Sequence, residues 1–213
     1  NFRPSSPDAV RALRQRLGIP GDAPVIVSSR NMKPHYRIDS IMRSVPLVVR
    51  KYPSVRYVFF RGYGLVSYEN ELKELAKRLD VLRDIIFVSD VISSQEMPVY
   101  CTMAAACVSV PLTDQFGYSI MEAMACGAVP IVGRLAGYEQ YLRDQKNALF
   151  VAGDDPSDIA EKVVYVLRNP ALRESFFRSN RRIIEDNEDL EKNTGKLVAL
   201  YTEMIDTYGK QSQ

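Results

Sequence analysis

The sequence predicts an α/β fold: a doubly wound parallel sheet of about six strands with a helical C-terminal extension. Three observations predict it. Short apolar runs alternate with longer helical patterns, as in a series of βα units around a parallel sheet. Each run is β-branched or aromatic and nearly continuous, which fits strands covered on both faces. Beyond residue 153 the strand-like runs stop and only helical patterns follow.

Taken in order, the segment 1–24 is polar and proline-dotted and reads as a lead-in with a first helix. Strands are expected at 25–29 (VIVSS), 56–62 (RYVFFRG), 85–89 (IIFVS), 107–111 (CVSVP), 129–133 (VPIVG) and 148–152 (ALFVA). Helices are expected near 38–51, 67–82, 94–104, 118–126 and 138–143. Ser93 or Ser94 is placed to cap the helix before QEM, and Gly127 stands where a helix-terminating glycine belongs. In the tail, Asp155-Pro156-Ser157 opens the first of three helices and Asn169-Pro170 breaks it from the second. No internal repeat or low-complexity tract appears. The expected organisation is one Rossmann-like domain over 1–213: lead-in 1–24, α/β core 25–153, C-terminal helices 154–213. Those helices either pack on the same sheet or reach toward another domain.

Composition narrows the function classes. With 213 residues, 46% of them hydrophobic, the chain can bury a sizeable core. Lys+Arg 28 against Asp+Glu 26 is nearly balanced, and no basic run carries interleaved aromatics, so no nucleic-acid partner is expected. Cys101, Cys107 and Cys126 lie in apolar context without CxxC spacing and read as reduced core residues of an intracellular protein. His35 is the sole histidine, so no multi-histidine metal site is expected. No run approaches the roughly 18 apolar residues of a membrane span. The polar opening, without methionine, reads as mid-loop in a longer chain and not as a signal peptide. A cytoplasmic location is expected, with membrane-surface contact left open for the full-length protein.

In an open parallel sheet, ligands bind beyond the carboxyl ends of the strands, so the chemistry is expected in the loops there. The loop SSRNMKPHYRID (28–39) holds Arg30, Lys33, His35 and Arg37. Forked arginine donors and a mobile lysine charge suit a phosphate or diphosphate, and a solvated basic loop is the plain alternative. Arg30 directly follows the strand and is the strongest candidate. RGYG (61–64) lacks the third glycine of G-x-G-x-x-G, so Gly62 and Gly64 support only a tight turn with close backbone approach. The stretch TDQFGYSIMEAMACGAVPIVG (113–133) sets Asp114 in a loop and Glu122 about one turn into the following helix. The first-turn N–H groups of Gly117, Tyr118 and Ser119 are expected unpaired, at the positive end of a helix dipole that welcomes an anion. Glu122 lies among Ile120, Met121, Met124 and Ala125 and needs a partner: a pair of sugar hydroxyls or a nearby arginine. The plain alternatives are a helix-flanking cap for Asp114, a structural salt bridge or exposed face for Glu122, and simple packing for Phe116.

These residues carry a family resemblance. DQFGYSIMEAMACGAVPIV is similar to the E-G-F-G-x-x-x-x-E-A-M-A-x-G-x-P-V-V signature of the retaining GT-B glycosyltransferases of group 1 (family 4). NFRP, VIVSSRNMKP, FFRGYG, IIFVSDVISSQEMPVYCTMA and LRDQKNALFV resemble other family landmarks in the same order. The resemblance implies the C-terminal, donor-binding half of a GT-B enzyme. Such an enzyme transfers a sugar from a nucleotide diphosphate sugar to a glycan, lipid or small-molecule acceptor. It implies retention at the anomeric carbon and no cofactor or metal, with the acceptor bound by an N-terminal half.

Carried over by position, Asp114 is similar to the family's first acid, beside the donor sugar, and Glu122 to the second, on the ribose hydroxyls. Arg30 is similar to the diphosphate-binding arginine. The backbone of Phe116, Gly117, Tyr118 and Ser119 would cradle sugar and phosphate, and loop 88–91, with Ser89 and Asp90, would receive the base. The sequence departs from the family in five places. Asp114 stands for glutamate, Gln115 for glycine, and Tyr36-Arg37 where a lysine is usual, leaving Lys33 or Arg37 to substitute. Asn147-Ala148 replaces N-G and AGYEQ (136–140) replaces G-G-x-P-E. A single half is expected to bind donor weakly and transfer little. Two rival functions share this architecture: a non-catalytic nucleotide-sugar-binding module, and half of a GT-B epimerase or phosphorylase.

Overall fold

A computed structural model describes residues 2–115, 117–187 and 190–209. The chain divides into two compact units, Asn1–Arg181 and Arg182–Gln213. In the first unit the strands are β1 (Val25–Asn31), β2 (Arg56–Phe60), β3 (Ile85–Val88), β4 (Ala106–Ser109), β5 (Val129–Gly133) and β6 (Leu149–Val151). They form one sheet in the order β3-β2-β1-β4-β5-β6, every pairing parallel. This is the expected doubly wound sheet, with its order reversing between β1 and β4. A crevice for ligands opens at such a switch, outside the carboxyl ends of the strands.

The helices are α1 (Pro7–Arg16), α2 (Ile38–Val49), α3 (Val66–Arg78), α4 (Met97–Met103), α5 (Tyr118–Cys126), α6 (Pro156–Arg168), α7 (Pro170–Asn187) and α8 (Leu190–Gly209). α2 packs with α3 and α6, while α4 packs with α1 and α5. Ile26, Val108, Ile131 and Leu149 are fully or almost fully buried, as strands covered on both faces require. Capping chemistry sets several helix ends. Asp155 accepts from the Ser157 N–H at 3.0 Å to open α6, with Pro156 in the first turn. Gly127, at φ 91, ends α5 in a left-handed conformation that costs only glycine nothing.

Two expected helices differ. The helix near 94–104 starts only at Met97, because Ser93, not Ser94, folds the preceding turn by accepting from the Glu96 N–H at 3.2 Å. The helix near 138–143 is a single 3₁₀ turn, Tyr138–Gln140. To continue it, the Arg143 N–H would bond the Glu139 carbonyl. Asn147 Oδ1 takes that N–H at 2.7 Å, and the Arg143 guanidinium takes the carbonyl.

In the second unit, α8 exposes Leu197, Tyr201, Met204, Ile205 and Tyr208. No helix among the described residues is long and apolar enough to cross a membrane.

Candidate functional site

The site grows from the end of β1. The β1–β2 register runs regularly to Ser28 opposite Phe59, then jumps to Asn31 opposite Phe60. Ser29 and Arg30 are thereby left in a bulge. Such irregularities re-aim side chains, and here Arg30 turns inward. Its side chain is 10% exposed and forms an ion pair with Asp114, itself 17% exposed. Arg30 Nε donates to Ser109 Oγ at 3.2 Å, at the end of β4, and Nη2 donates to the Tyr138 hydroxyl at 3.3 Å. The guanidinium also lies 4.9 Å from the centre of the Tyr36 ring.

Tyr138 closes the ring of contacts. Its hydroxyl donates to Asp114 Oδ2 at 2.9 Å and lies 3.3 Å from Ser109 Oγ. Burial pushes the phenol above its ordinary range, outweighing the opposing charge of Arg30 and the bonds from Ser109 and Arg30. Tyr138 therefore stays a proton donor at neutral pH. Three strand ends, those of β1, β4 and β5, thus converge on one buried polar cluster.

The α5 N-terminus abuts this cluster. Its cap residue is Gly117, without a side-chain cap, and the N–H groups of Gly117, Tyr118 and Ser119 have no partner among the described residues. A Cβ on Gly117 would stand 2.5 Å from Arg30 Nη2. The guanidinium therefore fills the space that a side chain would take. Ser119 Oγ is buried with no hydrogen-bond partner among the described residues. Glu122, one turn on, forms no hydrogen bond or ion pair among the described residues, and burial pushes its carboxyl up to about 7. Burial above all raises the thiol of Cys107 on β4; the Arg30 charge lowers it and the Glu122 carboxylate adds slightly to the rise, so acid and arginine share a neighbour.

This corner concentrates positive potential: a guanidinium, a helix dipole and three free N–H groups set against the Asp114 carboxylate, while burial draws Glu122, one turn on, toward its neutral form. An anion is the natural occupant of such a place, and the unpartnered Ser119 and Glu122 are suited to hydroxyl groups.

The other sequence candidates take no part in this ring of contacts. Arg37, at φ 52, pairs with Asp154 at 3.6 Å, beyond the end of β6. Lys33 makes no side-chain bond or ion pair among the described residues and remains available. His35 is exposed, and its carbonyl accepts from the Leu112 N–H at 2.8 Å. Gly62 and Gly64 admit the chain's own backbone. A Cβ on Gly62 would strike Asn31 Oδ1, and one on Gly64 would stand 2.5 Å from the Met32 carbonyl. Ser89 donates to Glu69 Oε1 at 2.6 Å, within a cluster that adds Arg61 and Lys73, and Asp90 is exposed. Phe116 lies outside the described residues. Among the described residues no group of three or more His, Cys, Asp or Glu could hold a metal ion.

Sequence inspection missed Tyr138 and Ser109. Ser109 was detectable as the polar residue in an otherwise apolar strand. Tyr138 had one signal, the departure of AGYEQ from the G-G-x-P-E pattern, which put its ring beside Gly137 with no hint of its partners.

Comparison with known proteins bears on the family and the fold. The family profile described as "Glycosyl transferases group 1" matches residues 10–183. The chain is 29% identical over 177 residues to a D-inositol 3-phosphate glycosyltransferase of Catenulispora acidiphila, covering 79% of this chain and 40% of that protein. It is 27% identical over 188 residues to a GDP-mannose-dependent phosphatidylinositol monomannoside mannosyltransferase of Mycolicibacterium smegmatis, covering 85% and 48%. The chain thus spans about half the length of these relatives. In fold it matches Anabaena Alr3699/HepE, solved with UDP and glucose, at TM-score 0.86 and 16% identity, over 95% of this chain and 54% of that one. It also matches the C-terminal domain of a Francisella tularensis group 1 protein, LpcC, at TM-score 0.75 and 19% identity, over 89% and 96%.

Proposed function

We propose, from the premise that this chain belongs to the group 1 glycosyl transferases, that it is the donor-binding half of a retaining glycosyltransferase using a nucleotide diphosphate sugar. The observation that carries the proposal is the corner at the α5 N-terminus. The unpaired N–H groups of Gly117, Tyr118 and Ser119, with Arg30 alongside, suit a diphosphate. Glu122, without a partner and with its carboxyl raised to about 7, suits the paired hydroxyls of a ribose. Asp114 is left for the sugar and acts as the first acid. Lys33 is the available second cation for the diphosphate, since Arg37 is committed to Asp154. The departing nucleotide diphosphate gains negative charge as the glycosidic bond breaks, and these preformed donors stabilise that charge without reorganising.

Two names among the similar proteins support the donor class: a relative described as GDP-mannose-dependent and a fold neighbour solved with UDP and glucose. The acceptor and the exclusion of water belong to chain beyond this half. The half alone is therefore expected to bind donor and transfer little.

The experiment is a calorimetric titration with UDP-, GDP- and ADP-sugars, with Glu122→Ala alongside. Saturable binding that disappears in the variant supports the reading and names the nucleotide. Binding unaffected by the variant would move the donor elsewhere. Retention is read from the anomeric configuration of the product made by the full-length protein.

A second reading, a nucleotide-sugar-binding module without transfer, is favoured by one observation: the first acid is already paired with Arg30. Full-length Asp114→Glu separates the two, since a gain in transfer identifies an enzyme and unchanged silence a binding module.

A further inference from the structure

We infer that Tyr138 is a positioning residue, one that pins a single oxygen of Asp114 so that the other is presented to the donor sugar. The inference rests on the donor-site reading above and deepens it. Asp114 has two carboxylate oxygens, and its interior contacts converge on one of them. Arg30 Nη2 pairs with Oδ2, and the Tyr138 hydroxyl donates to that same oxygen at 2.9 Å. Among the described residues nothing bonds Oδ1. Arg30 is divided in the same way: Nε is held by Ser109 and Nη2 by Tyr138 and Asp114, while Nη1 has no partner among the described residues. The buried ring of four side chains therefore leaves one free acceptor and one free donor. Oδ1 can accept from a sugar hydroxyl and Nη1 can donate to a phosphate oxygen.

A carboxylate on a loop rotates about its Cβ–Cγ bond, and a lone arginine would readily take both of its oxygens in a bidentate pair. In that arrangement Asp114 would have no oxygen left for a sugar. Tyr138 stands against it. Its hydroxyl is the second donor to Oδ2 and also receives from Arg30, so the carboxylate is held one-sided. The phenol itself is fixed, because Tyr138 is fully buried and its hydroxyl is also within bonding distance of Ser109. The main chain supports the arrangement. A Cβ on Gly137, the residue before Tyr138, would stand 3.1–3.3 Å from the Gln115 and Asp114 backbone, so the two segments are in close contact.

The test compares each nucleotide diphosphate with its sugar conjugate, UDP with UDP-glucose and GDP with GDP-mannose, on the unaltered chain and on Tyr138→Phe. Phenylalanine keeps the buried ring and removes only the hydroxyl. The sugar's share of the affinity, the ratio of the two dissociation constants, is expected to fall about tenfold, the scale of one hydrogen bond to a charged group. The free diphosphate should change less than about threefold, well within that scale. Adding Tyr138→Phe to an Asp114→Ala chain should have no further effect on that ratio, because the phenol reaches the sugar only through the acid. Equal loss for diphosphate and conjugate would show Tyr138 to be structural and overturn the inference. No change in either would overturn it as well. If neither pair binds the unaltered chain, the donor-site reading itself fails and the inference falls with it.

Discussion

Arg30 and Gly117 share one volume. The guanidinium at the end of β1 lies where the Cβ of any other residue at position 117 would stand, 2.5 Å from Nη2 and 2.6 Å from Nη1. The space beside a glycine whose backbone is expected to cradle sugar and phosphate is thus filled by the protein's own cation, held there by Asp114, Ser109 and Tyr138.

Gly117→Ala tests this directly. At φ −73 and ψ 130 the backbone accepts alanine without strain, so any loss comes from the overlap with Arg30. The guanidinium cannot step aside without breaking its contacts. A destabilisation of about 1–3 kcal/mol is expected, on the scale of overpacking, together with weakened donor binding. Denaturant melts measure the first and titration the second.

Arg30→Met keeps most of the stem and removes the charge. Asp114 is then left with Tyr138 alone in a largely buried setting. The expected cost is about 3 kcal/mol, the scale of a broken buried ion pair. Replacing both partners, Arg30→Met with Asp114→Leu, should recover part of that loss. Recovery of stability without recovery of donor binding would separate the pair's role in the fold from its role in the site.

Glu122 sets a pH dependence. Its carboxyl titrates near 7 in the folded chain, against an ordinary 4.5. The folded state therefore binds the extra proton between those values, and this group's contribution to stability falls as pH rises from about 4.5 to 7 and is level above that. Glu122→Gln should raise the melting temperature at pH 8 by on the order of 2–4 °C, the scale of 1 kcal/mol in a chain of this length. It should do so while abolishing donor binding. For the unaltered chain, affinity for a nucleotide sugar should climb by up to about tenfold per pH unit below 7 and then level off, as expected for an acceptor that must ionise first.

Glu69 titrates in the opposite sense. Burial pushes its carboxyl up, but hydrogen bonds from Lys73 and Ser89 and the charges of Lys73 and Arg61 more than offset this and lower it. Its stabilisation is therefore present above the ordinary 4.5 and is lost as pH falls through the depressed value. Glu69→Gln should cost on the order of 2 kcal/mol at pH 7, the scale of hydrogen bonds to a charged group. The gap between variant and parent should narrow in melts recorded below pH 4.

The sheet was legible because its strands are short, β-branched and apolar on both faces, a pattern that local sequence displays in full. The same holds for α5, whose start at Tyr118 and glycine-marked end at Gly127 follow from apolar spacing and a residue free to turn left-handed. Where the reading slipped, distant or side-chain bonds decided. The segment after Gly137 has helical spacing, yet the Asn147 amide captures the Arg143 N–H and stops the turn.

By itself the sequence determined the order of strands and helices, the positions of two acids around one helix N-terminus, and Arg30 at the mouth of β1. Periodicity, capping residues and spacing along the chain carry that information. Only the tertiary structure decided who bonds to whom. It paired Arg30 with Asp114, gave Arg37 to Asp154, Ser89 to Glu69, Gly62 to Asn31 at the end of β1 and Gly64 to Met32 just beyond it. It left Glu122 and Ser119 without partners among the described residues. It also brought Tyr138 onto both members of the central pair, 108 residues along the chain from Arg30. Partners are chosen where burial removes water and forces each charge to find its counterpart in space, and separation along the chain carries no record of that choice.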